Sequence, residues 1–508
     1  MRSHENTKLP GNKHRRQADA TCEVAKSHEH EFADHLNQEA NPMHRILLTL
    51  SQQPRLRRAC NKTMLLVIAY CFALSICPHC YLSAQDWMQW RGPLMTGEAP
   101  DGDPPISWSE KENVEWKTSL DGLGHSSPVV ANGRVFLTFA REIGQPFEPR
   151  PDTAPGAHDN KLVSSEFEFV AAAYSLSDGK QLWEKVLHKA IPHEGAHISG
   201  SLASASPVTD GKHVWFFFGS YGLYCLDFQG VTKWKKNLGK MNTKHGHGEG
   251  ATPVLHQDIL AVNWDHEGQS YTVALNKNDG EEIWKNERDE VTSWSSPIVV
   301  EEAGQQQLIV AGTTRIRAYE LETGNIIWQC GGMSQNIVAS PVAADGMVFV
   351  GSSYEKRQML GIRLKGAKGD ITSTDHVVWS RTARTPYVPS LLLVEGHIYF
   401  LRHYQGIMSR VAANNGEEPS GPFRIHSMNE IYASPVAANG RIYITDRSGT
   451  TAVLSTDPAP KDFGVNRLND RFSASAAIVG KRLILRGEKN LYCIANAKAK
   501  ALPNDKLP

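Results

Sequence analysis

The chain has 508 residues with 54 basic and 54 acidic side chains, a balance that excludes a whole-chain polyanion-binding surface and argues against nucleic acid as a partner. The length allows two or three average domains or one large all-β unit. Twelve Trp, 41 Gly and 27 Pro favour many short strands joined by tight turns.

In chain order, residues 1–42 are polar and His-rich without apolar periodicity, so no packed structure is expected there. Arg55, Arg57, Arg58 and Lys62 then precede an apolar run from Met64 to Cys77, and Leu82-Ser83-Ala84 offers a small-residue cleavage site before Gln85. This pattern predicts a disordered leader plus signal peptide over 1–84. The mature protein is therefore expected to be exported, to the periplasm or to the extracellular or cell surface. The apolar run falls short of the roughly 20 residues of a spanning helix, so membrane attachment follows only if the leader is retained as an anchor. Five of the eight cysteines lie before residue 81. Cys225 and Cys493 occupy matching contexts, Leu-Tyr-Cys-Leu and Leu-Tyr-Cys-Ile, and are expected to be small buried thiols at one repeat position.

From residue 85 the chain repeats. A Ser-Pro-Val phrase begins at Ser127, Ser206, Thr252, Ser296, Ser340 and Ser434, with weaker copies at Val388-Pro389-Ser390 and Ser475-Ala476-Ala477. After a longer first interval the copies recur at the period of four-stranded propeller blades. A second phrase sets Gly179, Gly230, Gly280 and Gly324 four residues ahead of Trp183, Trp234, Trp284 and Trp328. The Gly suits a turn with positive φ, and the Trp supplies a large apolar plate on the next strand. Eight sets of strands A, B and C can be counted, and the last stops near Asn496. Val114-Glu115-Trp116-Lys117 resembles a strand D without a blade. The predicted fold is therefore an all-β, eight-bladed propeller over 85–500, closed by an N-terminal strand that completes the last blade and removes the open edge. Residues 501–508 form a tail.

These phrases, with Ala274-Leu275-Asn276 and Ala318-Tyr319-Glu320-Leu321 between them, resemble the propeller repeats of quinoprotein dehydrogenases. They are equally similar to those of non-enzymatic relatives such as the outer-membrane β-barrel assembly lipoprotein. The opening Trp87-Met88-Gln89-Trp90-Arg91-Gly92-Pro93 looks like the start of an exported subfamily of this type. The resemblance implies fold more strongly than function, because the repeated residues are structural. Dehydrogenases of the family use pyrroloquinoline quinone (PQQ) with calcium and a catalytic Asp, and many have an adjacent cysteine pair. This chain has no Cys-Cys pair and no alignable calcium-plus-Asp set, so no cofactor is expected and no catalytic residue is assigned. PQQ with calcium is the alternative.

Antiparallel blades place the D-to-A and B-to-C connections on one face. That face collects the ligand-binding candidates His125, His197, His245, His247, Glu249, Asp265, His266, Glu267, Trp294, Tyr387 and Tyr432. His245, His247 and Glu249 with Asp265, His266 and Glu267 form the densest set. Imidazole and carboxylate suit a divalent ion, whereas loop-tying hydrogen bonds would use the same residues without a ligand. The insertion from about Arg141 to Ser165 leaves from the same face as a prospective lid. The expected activity is that of a binding or scaffolding module with a protein or polysaccharide ligand at these loops. A PQQ-dependent oxidoreductase and a polysaccharide-binding protein are the alternatives.

Overall fold

The six Ser/Thr-Pro phrases and their two weaker copies open eight antiparallel sheets. The computed structural model describes residues 86–402 and 404–496; the predicted leader and tail lie outside the described residues. In blade 1, Val129–Ala131, Arg134–Ile143, Glu166–Ser175 and Gln181–Ala190 run in order from the axis outward. Blades 2 to 7 repeat this four-strand plan, and blade 4 gains Gly369–Asp370 in parallel beside its outer strand Ile326–Gly331. Blade 8 takes Ala477–Val479, Arg482–Arg486 and Asn490–Ile494 from the end of the chain. Its outer strand is Val114–Ser119, paired antiparallel with Asn490–Ile494 so that Trp116 lies opposite Cys493. Apolar clusters fill the spaces between neighbouring blades; Phe136, Ala171, Val214 and Phe216 join blades 1 and 2.

The serine phrase has a physical purpose that explains its recurrence. The backbone N–H of Ser127 donates to Ser206 Oγ, Ser206 to Thr252 Oγ1, Thr252 to Ser296 Oγ and Ser296 to Ser340 Oγ. Ser340 continues to Ser390, Ser390 to Ser434, Ser434 to Ser475, and Ser475 returns to Ser127, all at 2.9–3.1 Å. The result is one closed circle of hydrogen bonds that satisfies a buried amide in each blade. The weaker sequence copies at Ser390 and Ser475 are full members.

The Gly-to-Trp phrase works between blades. Gly179, Gly230, Gly280 and Gly324 all adopt positive φ, as the turns require. Each also lies under the Trp of the preceding blade: a Cβ on Gly179 would come within 2.5 Å of the Trp116 ring, and one on Gly280 within 2.8 Å of Trp234. The Trp Nε1 donates across the same junction, Trp116 to Leu176 O, Trp183 to Phe228 O and Trp284 to Leu321 O. On the strand opposite, the residue facing Trp is always small. Ala173, Cys225, Ala274, Ala318, Gly361 and Cys493 face Trp183, Trp234, Trp284, Trp328, Trp379 and Trp116. Cys225 and Cys493 are buried, and burial pushes the Cys225 thiol up to about 12.

Residues 86–103 cross beneath the ring along the innermost strands. Trp87 exchanges two backbone hydrogen bonds with Val130 of blade 1, and Thr209 N of blade 2 donates to Met88 O. Further on, Leu393 of blade 6 pairs with Thr96, Ala437 of blade 7 with Gly97 and Ala99, and Gly480 of blade 8 with Asp103. Arg91 lies buried in this crossing, its guanidinium donating to Pro435 O, Leu391 O and Thr96 O. Gly97 leaves room for it, since a Cβ there would lie 2.1 Å from Nη2.

Candidate ligand-binding mouth

The upper loops surround an axial cavity of about 580 Å³, with Trp90 of the crossing segment at its lower end. This volume lies within the range of small-molecule sites, about 300–1,000 Å³. Hydroxyls of the serine circle line its depth, among them Ser127, Ser296 and Ser475.

One wall is histidine. His125 follows the last strand of blade 8, His197 lies between blades 1 and 2, and His247 between blades 2 and 3. The insertion of blade 1 adds His158, held there by a two-stranded ribbon in which Asn160–Lys161 pairs with Ala196–His197. The His247 ring stands 4.9 Å from His158, 4.8 Å from His197 and 5.4 Å from His245. Burial, then the neighbouring His197, pulls His247 from 6.5 to about 4; burial also lowers His197 and holds His125 well below its usual value. These three imidazoles are neutral at pH 7.

The other wall is tyrosine. Tyr354 stacks on Tyr387 at 6.1 Å, Tyr387 meets Tyr404 edge-on at 5.2 Å, and Tyr404 stacks on Tyr432 at 4.6 Å. Burial and the flanking tyrosines push Tyr404 strongly upward, and burial also raises Tyr387. Trp294 completes the wall, its Nε1 fixed on Gly248 O at 2.7 Å.

Of the predicted residues, His125, His197, His247, Glu249, Trp294, Tyr387 and Tyr432 line the cavity. The dense His-and-carboxylate set does not converge. Asp265 forms a buried pair with Arg288 Nε at 2.8 Å and accepts from Ser293 Oγ at 2.7 Å. His266 Nδ1 accepts from the N–H groups of Asn242 and Gly268, and Glu267 accepts from Thr292 N and Oγ1. Glu249 turns to Ser220, accepting from N at 2.7 Å and Oγ at 2.5 Å, and burial raises it to about 8. His245 Nδ1 lies 3.2 Å from Pro155 O in the insertion. Loop-tying bonds occupy these groups. Among the described residues, no group of three or more His, Cys, Asp or Glu side chains is placed to hold a metal ion.

His158, Tyr354, Tyr404 and Trp90 were not among the sequence candidates. The two tyrosines stood in B-to-C connections already assigned to this face, so topology could have found them. His158 sits in an insertion outside the repeat, where no periodic signal reaches.

A calcium-bound quinone needs acidic oxygens for the ion and cationic partners for its own carboxylates. Among the described residues, the cavity wall offers Asp159 and the Ser220-bound Glu249 as acids, and neither Lys nor Arg lines it. These residues do not fit the quinone–calcium pair.

The family model of the outer membrane protein assembly factor BamB matches residues 105–266 and 268–494. No curated protein matches the chain. Among solved structures it is similar to BamB from Moraxella catarrhalis, at 14% identity over 74% of this chain and 100% of that one, with a TM-score of 0.46. It is similar to the quinohemoprotein alcohol dehydrogenase from Comamonas testosteroni at 9% identity, covering 84% and 82%, with a TM-score of 0.56. A europium-containing methanol dehydrogenase gives 9% identity, 81% and 98% coverage and a TM-score of 0.53. The two dehydrogenase likenesses speak for the propeller fold alone. The family match spans most of all eight blades, and the chain belongs to the family of the outer membrane protein assembly factor BamB.

Proposed function

We propose that the protein is exported and acts as a non-catalytic binding or scaffolding module whose ligand engages the upper mouth. The observation that carries this reading is the axial cavity, with Trp90 at its lower end, whose wall pairs imidazoles with stacked tyrosines. With Trp90 at the lower end, the upper loops serve as the entrance in this reading, and rigid strands position those loops well for recognition. The basic–apolar–small pattern of residues 55–84 supports export, and the family's description as an assembly factor supports a scaffold. Cysteine cross-linking in intact cells tests the reading. Ile198 on the upper rim is 60% exposed and Val231 on a lower turn is 54% exposed. Ile198→Cys is expected to capture a partner or envelope polymer from outside the cytoplasm, and Val231→Cys is not. Capture at Val231 alone, or a protein retained in the cytoplasm, contradicts it.

A further inference from the structure

Resting on that reading, we propose that the axial cavity binds a neutral carbohydrate, with sugar rings against the tyrosine wall and sugar hydroxyls among the serines below. Three features select this chemistry.

The first is charge. Among the described residues neither Lys nor Arg lines the cavity, so a phosphate, sulfate or uronate would meet Asp159 without a counterion. Arg447 lies behind the wall, stacked 5.3 Å over Tyr432 and 3.5 Å from Glu488. Burial lowers His125, His197 and His247, which face the space, and so disfavours their charged forms.

The second is shape and polarity. Tyr387, Tyr404 and Tyr432 form a partly buried aromatic ladder, and Tyr354 extends it to the rim at 43% exposure. Aromatic faces carry a negative π-cloud that suits the weakly positive C–H face of a pyranose.

The third is unmet hydrogen bonding. His125, Asn336 and Ser473 line the cavity from three different blade junctions. His125 Nε2, Asn336 Oδ1 and Ser473 Oγ are buried and have no partner among the described residues. Buried polar atoms ordinarily have one, and a hydroxyl-rich neutral ligand both donates and accepts.

The test is calorimetry of the purified protein with neutral oligosaccharides from glucan, xylan, mannan and chitin, beside an oligogalacturonate and a sulfated oligosaccharide. At least one neutral oligosaccharide is expected to bind saturably, and the charged ones are not. Tyr432→Ala and the rim variant Tyr354→Ala should each weaken binding by about tenfold or more. Tyr354→Ala should leave the melting temperature unchanged, separating lost contact from lost fold. Preference for the charged oligomers, or neutral binding indifferent to both tyrosines, overturns the proposal. If no neutral oligosaccharide binds while Ile198→Cys still captures a partner, the carbohydrate assignment fails and the scaffold reading stands. Turnover with PQQ and calcium removes the scaffold reading itself.

Discussion

The backbone N–H of Ser475 donates to Ser127 Oγ at 3.0 Å across 348 residues of sequence. That bond joins the last blade to the first and closes the serine circle. Ser475→Ala removes the acceptor for the Ser434 amide, a buried donor, and is expected to cost about 1–3 kcal/mol. Ser475→Thr keeps the acceptor, as Thr252 does naturally, and should cost much less. Urea denaturation of both variants checks the difference.

Blade 8 depends on a strand from the other end of the chain. Deleting residues 110–120 should expose the edge of Asn490–Ile494 and lower the melting temperature sharply. Trp116 is 8% exposed, and Trp116→Ala is expected to cost about 3–5 kcal/mol. Gly179→Ala should also destabilise, through its positive φ and through contact with the Trp116 ring. Because the two side chains share one junction, the double variant should lose less than the sum of the two. Additive losses would contradict that packing.

Asp265 and Arg288 both have fully buried side chains. Arg288→Met leaves a buried carboxylate without its partner, and about 3–5 kcal/mol should be lost. The accompanying expectation is that Asp265→Asn lowers stability without changing ligand affinity, since its oxygens serve Arg288 and Ser293. Denaturation and calorimetry on one sample distinguish a structural acid from a ligand contact.

Glu249 and His247 set opposite pH limits. With Glu249 raised from 4.5 to about 8, the folded state holds its proton more tightly than the unfolded chain. Its stabilising contribution is full below about 4.5 and is lost as pH rises through about 8. With His247 lowered from 6.5 to about 4, its contribution is full above 6.5 and is lost as pH falls through about 4. Glu249→Gln should flatten the alkaline side of the stability profile, and His247→Gln the acid side. Melting temperatures from pH 4 to 9 check both signs.

The repeats were legible because each blade uses the same local devices. Ser-Pro-Val and Gly-to-Trp carried the blade count, and the lone Trp116 strand carried the closure. Their partners were not legible, since each serine and each Trp acts on the neighbouring blade. The same holds at the mouth. His and acid residues in adjacent loops suggested one metal-like cluster, but Asp265, Glu267 and Glu249 bond to Arg288, Thr292 and Ser220. Residue type gives the available chemistry, and tertiary contacts decide whether it is free. Trp87 to Pro93 matched a subfamily opening, and its place beneath the ring follows only from pairing with Val130 and Thr209.

The central claim is a non-catalytic binding propeller, and reconstitution tests it most directly. Purified protein is titrated with PQQ in the presence of calcium, then assayed for dye-linked oxidation of alcohols and sugars. The account predicts neither saturable quinone binding nor turnover, because beside the Ser220-bound Glu249 the cavity wall offers calcium only Asp159 among the described residues, and no described Lys or Arg lines it for the quinone. Stoichiometric quinone binding accompanied by turnover would contradict it.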